Sequence, residues 1–234
     1  MQDANASTAN VTTANVNAKA RIGRADAETC WSCHGPVAPE AVFCDICDAV
    51  QPPGQRDHFA RLGLDVGFEI DAATLDRRYF DSQRRLHPDR FAARTARERA
   101  LSQQQATAVN EAYETLKDPL KRADYLVHLW GAGVLPEGCN LVADQELLTE
   151  SLELREALAE AETIAEVALL ETRAAADIRA CVGDLAGVFA DGEIEAACRL
   201  TTRLKYLRKL AQECRIRRAR LGDRGGDGGT GGRG

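Results

Sequence analysis

Cys30-x2-Cys33-x10-Cys44-x2-Cys47 is the strongest chemical pattern in the chain. Each C-x2-C pair can turn two thiolates toward one ion, and two such knuckles complete a tetrahedral S4 site that suits Zn²⁺. Four cysteine ligands leave no open coordination position, so the implied zinc is structural, not catalytic. A dithiol redox pair and an iron–sulfur cluster would use the same residues, and spacing alone leaves both open. His34 adjoins the second ligand and reads as a neighbour, because four thiolates already fill the shell. A module over 29–53 is too short to fold by apolar burial, so metal binding must supply its folding free energy. Cys139, Cys181, Cys198 and Cys214 stand alone, and the last three lie on or near apolar stripes as small buried hydrophobes.

His87-Pro88-Asp89-Arg90 is a second candidate, preceded by a cationic strip containing Arg77, Arg78, Arg84 and Arg85. On its own the tripeptide supports a proline turn with Asp89 as a cap or a solvated acid. His87 as a general base would need a nucleophile or carboxylate constellation, and none accompanies it at readable spacing. The chain is therefore not read as an enzyme.

A third candidate lies on the second half of the chain. At about 100° per residue, Leu147, Leu154, Leu158 and Ala161 form one helical stripe, the natural core face. Leu148 and Leu152 fall about 100° and 140° from Leu147, with Glu156 beyond them. On the last helix Leu200, Leu204, Leu207 and Ala211 take the core and leave Lys205 and Tyr206 to one side. Two off-stripe leucines beside an exposed aromatic suggest a partner surface. Packing against a third helix is the alternative.

The elements that must position these groups are helical. In 234 residues there is room for one to two domains, and aromatics make up only 5%. Prolines stop after position 136, and no apolar run approaches the roughly 18 residues of a membrane span. The first 28 residues lack hydrophobic periodicity, and 222–234 is a Gly-rich tail; both are expected to be disordered. Between the cysteine module and a linker over 132–143 lies a helical segment, 57–131. One helix capped by Asp71 carries Leu75, Tyr79, Ser82 and Leu86 and ends at His87-Pro88. A second runs from Thr95 to Lys117 with Leu101, Ala108, Ala112 and Leu116 inward, and a third from Leu120 to Trp130. The segment 144–221 reads as a three-helix bundle broken near Glu162–Ile164 and at Asp191-Gly192.

Charge is lopsided within that bundle. Residues 144–162 hold seven acids and one Arg, and 199–221 hold nine bases and one Glu, so packing its first and last helices together pairs opposite charges. The net charge of −6 argues against a global nucleic-acid surface. A zinc-ribbon protein gripping phosphate through Arg215, Arg217 and Arg218 is the alternative function, and it would show steep salt dependence.

Asp57-His58-Phe59-Ala60-Arg61-Leu62-Gly63-Leu64, the basic helix with Tyr79, the His-Pro-Asp loop and Asn110-Glu111-Ala112-Tyr113-Glu114-Thr115-Leu116 together resemble a J-domain. That module lets DnaJ-type co-chaperones engage DnaK-class ATPases. Pro119-Leu120-Lys121-Arg122-Ala123-Asp124-Tyr125-Leu126, the run Leu147–Glu156 and Arg203-Leu204-Lys205-Tyr206-Leu207 are similar to the HscB family of iron–sulfur cluster co-chaperones. Some members of that family carry a tetracysteine module.

The resemblance implies an all-α protein: a J-domain hairpin, then a three-helix client-binding bundle, preceded by a small zinc module. It implies that Arg77, Arg78, Arg84 and Arg85 meet an acidic face of an HscA/DnaK-class chaperone. Asp89 would engage a chaperone Arg, with His87 and Pro88 fixing the loop. It implies that Leu148, Leu152, Glu153, Glu156, Lys205 and Tyr206 bind an IscU-type scaffold. The chain then activates the chaperone's ATPase, with neither nucleic acid nor membrane as partner; weak self-association stays open. With no apolar signal core after Met1 and no Arg-rich presequence, a bacterial cytoplasm is expected, the mitochondrial matrix being the alternative.

Overall fold

The structure, a computed structural model, describes residues 28–131 and 145–226. Most of the N-terminal stretch, the linker with Cys139 and the last eight residues lie outside the described residues. The chain divides into two compact units at Gly54.

In the first unit, β1 (Glu28–Thr29) pairs antiparallel with β2 (Pro36–Val37), and Phe43 bridges Val50. Glu28, expected to close the unstructured start, already belongs to β1. The two cysteine knuckles repeat one backbone design fourteen residues apart. His34 N–H donates to the Cys30 carbonyl at 3.0 Å, and Asp48 N–H to that of Cys44 at 2.9 Å. His34 (φ 59°) and Asp48 (φ 58°) both take the left-handed conformation that lets the chain double back. Cys30, Val37, Cys44 and Ala49 form a very small core, with Trp31 packed on it and donating its indole N–H to the Val50 carbonyl at 2.8 Å.

The second unit is built of helices and their connections, with no strand among its described residues. α1 (His58–Leu62) starts at an Asp57 cap that accepts from Ala60 N–H at 2.9 Å, and ends at Gly63 in the left-handed region (φ 62°). α2 (Ala72–Leu86) is capped by Asp71 and stops where the residue before Pro88 must leave the helical region. α3 (Ala96–Lys117) opens with a reciprocal Thr95/Glu98 capping box. α4 (Pro119–Gly131) begins on its proline. Phe59, Leu75, Leu86, Val109, Ala112, Leu116 and Leu126 fill the core between them, while Ala108 is only half-buried.

α5 (Gln145–Glu160), α6 (Ile164–Ala190) and α7 (Ile194–Gly226) form the bundle. Thr163 and Glu166 make a second capping box at the first break, and Gly192 (φ 73°) turns the second. α7 runs through Gly226, so the first five residues of the expected Gly-rich tail, 222–226, are helical. Leu158, Ala161, Val167, Ala174, Leu210, Ala211 and Cys214 make a core cluster, with Leu154 packed against it. Cys181, Cys198 and Cys214 are fully buried, but only Cys181 and Cys214 are free thiols; Cys198, read from the sequence as standing alone, is disulfide-bonded. Burial pushes the Cys181 thiol up to about 11, as suits a small apolar side chain.

The basic end of α7 makes pairs within the bundle while Arg215 and Arg218 stay exposed. Arg215 and Arg218 both pair with Glu171, and Arg217 donates to the carbonyls of Ala159 and Ala161. The three arginines that a phosphate-gripping helix would present are thus already engaged. Arg203 forms a two-pronged pair with Glu150, and Arg155 meets Glu213, which joins acidic α5 to basic α7. No helix among the described residues is long and apolar enough to cross a membrane.

The helices α1 to α4 are clamped to the bundle. Phe68, in the α1–α2 connection, stacks on Phe189 of α6 at 5.3 Å, and Trp130 meets the same ring edge-on at 5.7 Å. Arg122 lies over Phe68 at 4.8 Å. Arg208 of α7 grips Asp118 through two 2.7 Å bonds, and Asp118 also caps α4 by accepting from Leu120 N–H at 2.8 Å.

Partial burial alone would raise the Asp118 pKa, but Arg208 and the Lys121 and Leu120 amides outweigh it and hold the carboxyl below its usual range. A depressed folded pKa contributes stability above the unfolded value of about 3.9, and that contribution disappears as pH falls through the folded one. Asp118→Ala loses both cap and ion pair and should cost about 2 kcal/mol or more. Asp118→Asn keeps an acceptor for the cap, so its deficit in chemical melts at neutral pH should close on acidification.

Candidate functional site

The His-Pro-Asp loop is held from both sides and left open in the middle. Leu86 and Phe91 are buried, and Ser102 of α3 donates its hydroxyl to the Leu86 carbonyl at 3.3 Å. Between them a 3-10 turn runs over Pro88–Phe91, with Arg90 N–H donating to the His87 carbonyl at 3.0 Å. His87 Nδ1 accepts from Asp89 N–H at 3.3 Å, so the imidazole braces the turn. The Asp89 side chain is 90% exposed, with His87 Nδ1 3.5 Å from its carboxylate. The turn presents an acid to solvent on a fixed backbone.

Arg77, Arg78, Arg84 and Arg85 are all exposed on α2. Asp81 pairs with Arg84, and Arg77 donates to the Thr74 hydroxyl at 3.2 Å. Tyr79 stacks on Tyr113 of α3 at 3.9 Å and donates to Asn110 Oδ1 at 3.1 Å. Tyr113 donates to Asp76 at 2.8 Å, and Lys117 donates to the Tyr113 hydroxyl at 2.7 Å. This polar seam sets α2, and with it the loop, against α3. Sequence reasoning placed Tyr79 on the stripe of its helix and used Asn110 and Tyr113 only as marks of resemblance; the pairing across two helices was invisible to it. It also passed over Ser102, whose polar type inside a helix was the available signal.

On α5, Leu148 and Leu152 are 52% and 58% exposed, with Glu153 and Glu156 exposed beside them. Leu147 and Leu158 face inward, and Leu154 is half-buried on the core. Tyr206 differs from the expectation of an exposed aromatic. It is half-buried, lining a groove between α5 and α7 with Leu147, Ser151, Leu154, Arg155 and Leu210. Lys205 is turned the other way: its ammonium bonds Asp124 of α4 at 2.7 Å and helps to hold the bundle. Leu200, expected on the core stripe, is half-buried.

The four module cysteines converge. Their sulfurs all lie within 4.8 Å of one another, with Cys30–Cys47 and Cys33–Cys44 at 3.7 Å. A tetrahedron with metal–sulfur bonds of about 2.3 Å has edges of about 3.8 Å, so the cage fits one ion. Cys30 and Cys44 are buried and Cys33 exposed; His34 lies outside the cage. Burial opposes ionisation of Cys30, but the Cys33 and Ser32 amides and the neighbouring thiols bring it down to about 6. Gln51 Nε2 and Ser32 N–H each stand 3.4 Å from its sulfur, donors that would steady a thiolate ligand.

Comparison with known proteins follows the same division of the chain. The DnaJ domain family matches residues 57–125, and the HSCB C-terminal oligomerisation domain matches 143–215. The iron–sulfur cluster co-chaperone protein HscB of Mus musculus is 32% identical over 210 residues, covering 88% of this chain and 89% of its own. The co-chaperone protein HscB homolog of Vibrio cholerae is 38% identical over 161 residues, 67% of this chain and 94% of its own. The crystal structure of human co-chaperone protein HscB superposes with a TM-score of 0.74 at 33% identity, covering 81% of this chain and 98% of that one. Chaperone HscB from Vibrio cholerae gives 0.61 at 35% identity, over 71% and 99%. With a J-type hairpin, an HscB-type bundle and a four-cysteine cage in one chain, the protein belongs to the HscB family of J-domain co-chaperones of iron–sulfur cluster assembly.

Proposed function

We propose that this chain captures an IscU-type scaffold on the bundle, delivers it to an HscA/DnaK-class chaperone, and stimulates that chaperone's ATPase. The observation that carries the reading is the clamp between hairpin and bundle. The Asp118–Arg208 and Asp124–Lys205 pairs and the Phe68–Phe189–Trp130 cluster tie two exposed surfaces into one body. One surface is the cationic α2 with the Asp89 loop, and the other is the apolar, acid-flanked face of α5. A client held on α5 is thereby delivered in a fixed orientation whenever α2 docks.

Docking falls to Arg77, Arg78, Arg84 and Arg85, with Asp89 meeting a chaperone cation and His87 and Pro88 shaping the turn. Capture falls to Leu148, Leu152, Glu153 and Glu156, with Tyr206 lining the adjoining groove, while Lys205, tied to Asp124, steadies the bundle. Cys30, Cys33, Cys44 and Cys47 hold a structural Zn²⁺. The ion supplies folding energy to its module, and no ligand position is left for chemistry.

The capture surface is tested by a pair of leucines two residues apart. Leu152→Ala should weaken scaffold binding by about 1–3 kcal/mol and leave melting within about 0.5 kcal/mol of the parent. Leu154→Ala, half-buried on the core, should do the reverse and destabilise by about 1–3 kcal/mol, toward the lower end of buried truncations. Calorimetric titration with scaffold beside melting curves reads both. A Leu152→Ala protein that melts early and binds normally would assign that leucine to packing.

A further inference from the structure

We propose that Phe80 is an apolar anchor set into the cationic docking face of α2, seated on binding in an apolar recess of an acidic surface on the DnaK-class ATPase. The inference rests on the co-chaperone reading and adds to it a residue that the cationic pattern did not single out.

Phe80 is 55% exposed, although α2 has a proper core face in Leu75 and Leu86. Its neighbour Tyr79 is used structurally, stacked on Tyr113 and bonded to Asn110, whereas Phe80 meets Tyr79 in a tilted contact at 5.3 Å. Arg77 lies three residues before Phe80 and Arg84 four after it, so the three side chains share one row of the helix surface. More than half of this large aromatic therefore stays in solvent, in a row otherwise made of arginines.

Charge selects the occupant. The exposed arginines of α2 face only two acids on the same helix, Asp76 and Asp81. Asp81 is paired with Arg84, and Asp76 accepts from the Tyr113 hydroxyl. A second copy docking symmetrically through α2 would bring the same cations against this face and be repelled, so the complement is an acidic protein surface. Exposed arginines steer encounter but are screened beyond about 8 Å at physiological salt, and charged rims contribute mainly to association rate. Residence requires a desolvated anchor, and aromatic side chains are the usual ones.

The test is a steady-state ATPase titration of a DnaK-class chaperone with the full chain and with Phe80→Ala, Phe80→Leu and Leu169→Ala, at two salt concentrations. Leu169, 72% exposed on α6, controls for general surface stickiness. For Phe80→Ala the half-maximal concentration should rise about tenfold, equivalent to about 1.4 kcal/mol, with the same maximal stimulation because Asp89 is intact. Phe80→Leu should fall between, and Leu169→Ala should match the parent. The salt dependence should persist in Phe80→Ala and flatten in Arg77→Ala and Arg84→Ala.

An unchanged half-maximal concentration for Phe80→Ala, with the parent stimulating normally, overturns the anchor alone. A large drop in its melting temperature does the same, by making Phe80 a packing residue. Binding of the parent to phosphatidylserine vesicles that is lost in Phe80→Ala would replace the protein partner with a membrane. Absence of any stimulation by the parent overturns the co-chaperone reading and the anchor with it.

Discussion

Asp89→Asn should abolish stimulation of the partner ATPase while the protein folds, melts and binds scaffold as the parent does. The carboxylate is 90% exposed and sits on a turn built by other groups: Leu86 and Phe91 below, Ser102 behind, His87 bracing the amide. Exchange of one carboxylate oxygen for an amide nitrogen removes the charge and leaves the backbone brace, which uses the Asp89 N–H. Surface substitutions of this kind usually move stability by less than about 0.5 kcal/mol. Loss of a charge that meets a partner cation commonly costs about 2–5 kcal/mol, some of it as the unpaired charge left on the partner. Stimulation should therefore fall to the chaperone's basal rate at any practical concentration. Phe91→Ala separates geometry from charge, since it keeps Asp89 but loosens the turn and should cost about 3–5 kcal/mol of stability. Full stimulation by Asp89→Asn would remove the loop from the mechanism.

The sites legible in the sequence are those made by neighbours in the chain. The C-x2-C pairs and the His87-Pro88 turn are local, and local geometry follows from residue type and short spacing. Helix ends behaved likewise: Asp71, Thr95 and Thr163 cap where a short polar side chain precedes an amphipathic run. What stayed hidden was the identity of the neighbour across a gap. Periodicity could put Lys205 off the core stripe, but the choice between a partner protein and Asp124 on α4 depends on how two helices lie together. Tyr206 was off the stripe too, and the approach of α5 half-buries it. Arg215, Arg217 and Arg218 make the same point, because a run of cations reads as a free basic face until Glu171 and two open carbonyls at the α5 end are found beside it. Phe80 was legible in principle, since at about 100° per residue it falls about 140° from Leu75 on the core stripe, but the arginines beside it drew the attention.

Removal of metal from the cysteine module should unfold residues 28–54 and leave the helical unit standing. The module's buried apolar set is a few small side chains with a half-buried Trp31, far short of what ordering the segment costs at about 1–2 kcal/mol per residue for backbone alone. Structural zinc in small modules contributes apparent free energies of about 10–16 kcal/mol, enough to reverse that balance. Cys30→Ser removes the ligand with the most amide support and should act like a chelator. Cys214→Ser, a buried cysteine of the helical unit that is not one of the four cage ligands, should retain the ion. The described part of the module contains no helix, so ellipticity at 222 nm should report the helical unit and barely move. Trp31, whose indole N–H is bonded to the Val50 carbonyl in the intact module, should shift its emission to longer wavelength as that bond opens to water. Elemental analysis of the parent should find close to one zinc per chain. Thiolate–iron absorption in the visible would replace zinc with iron, and a module that stays protease-resistant after chelation would show that the cage is not what folds it.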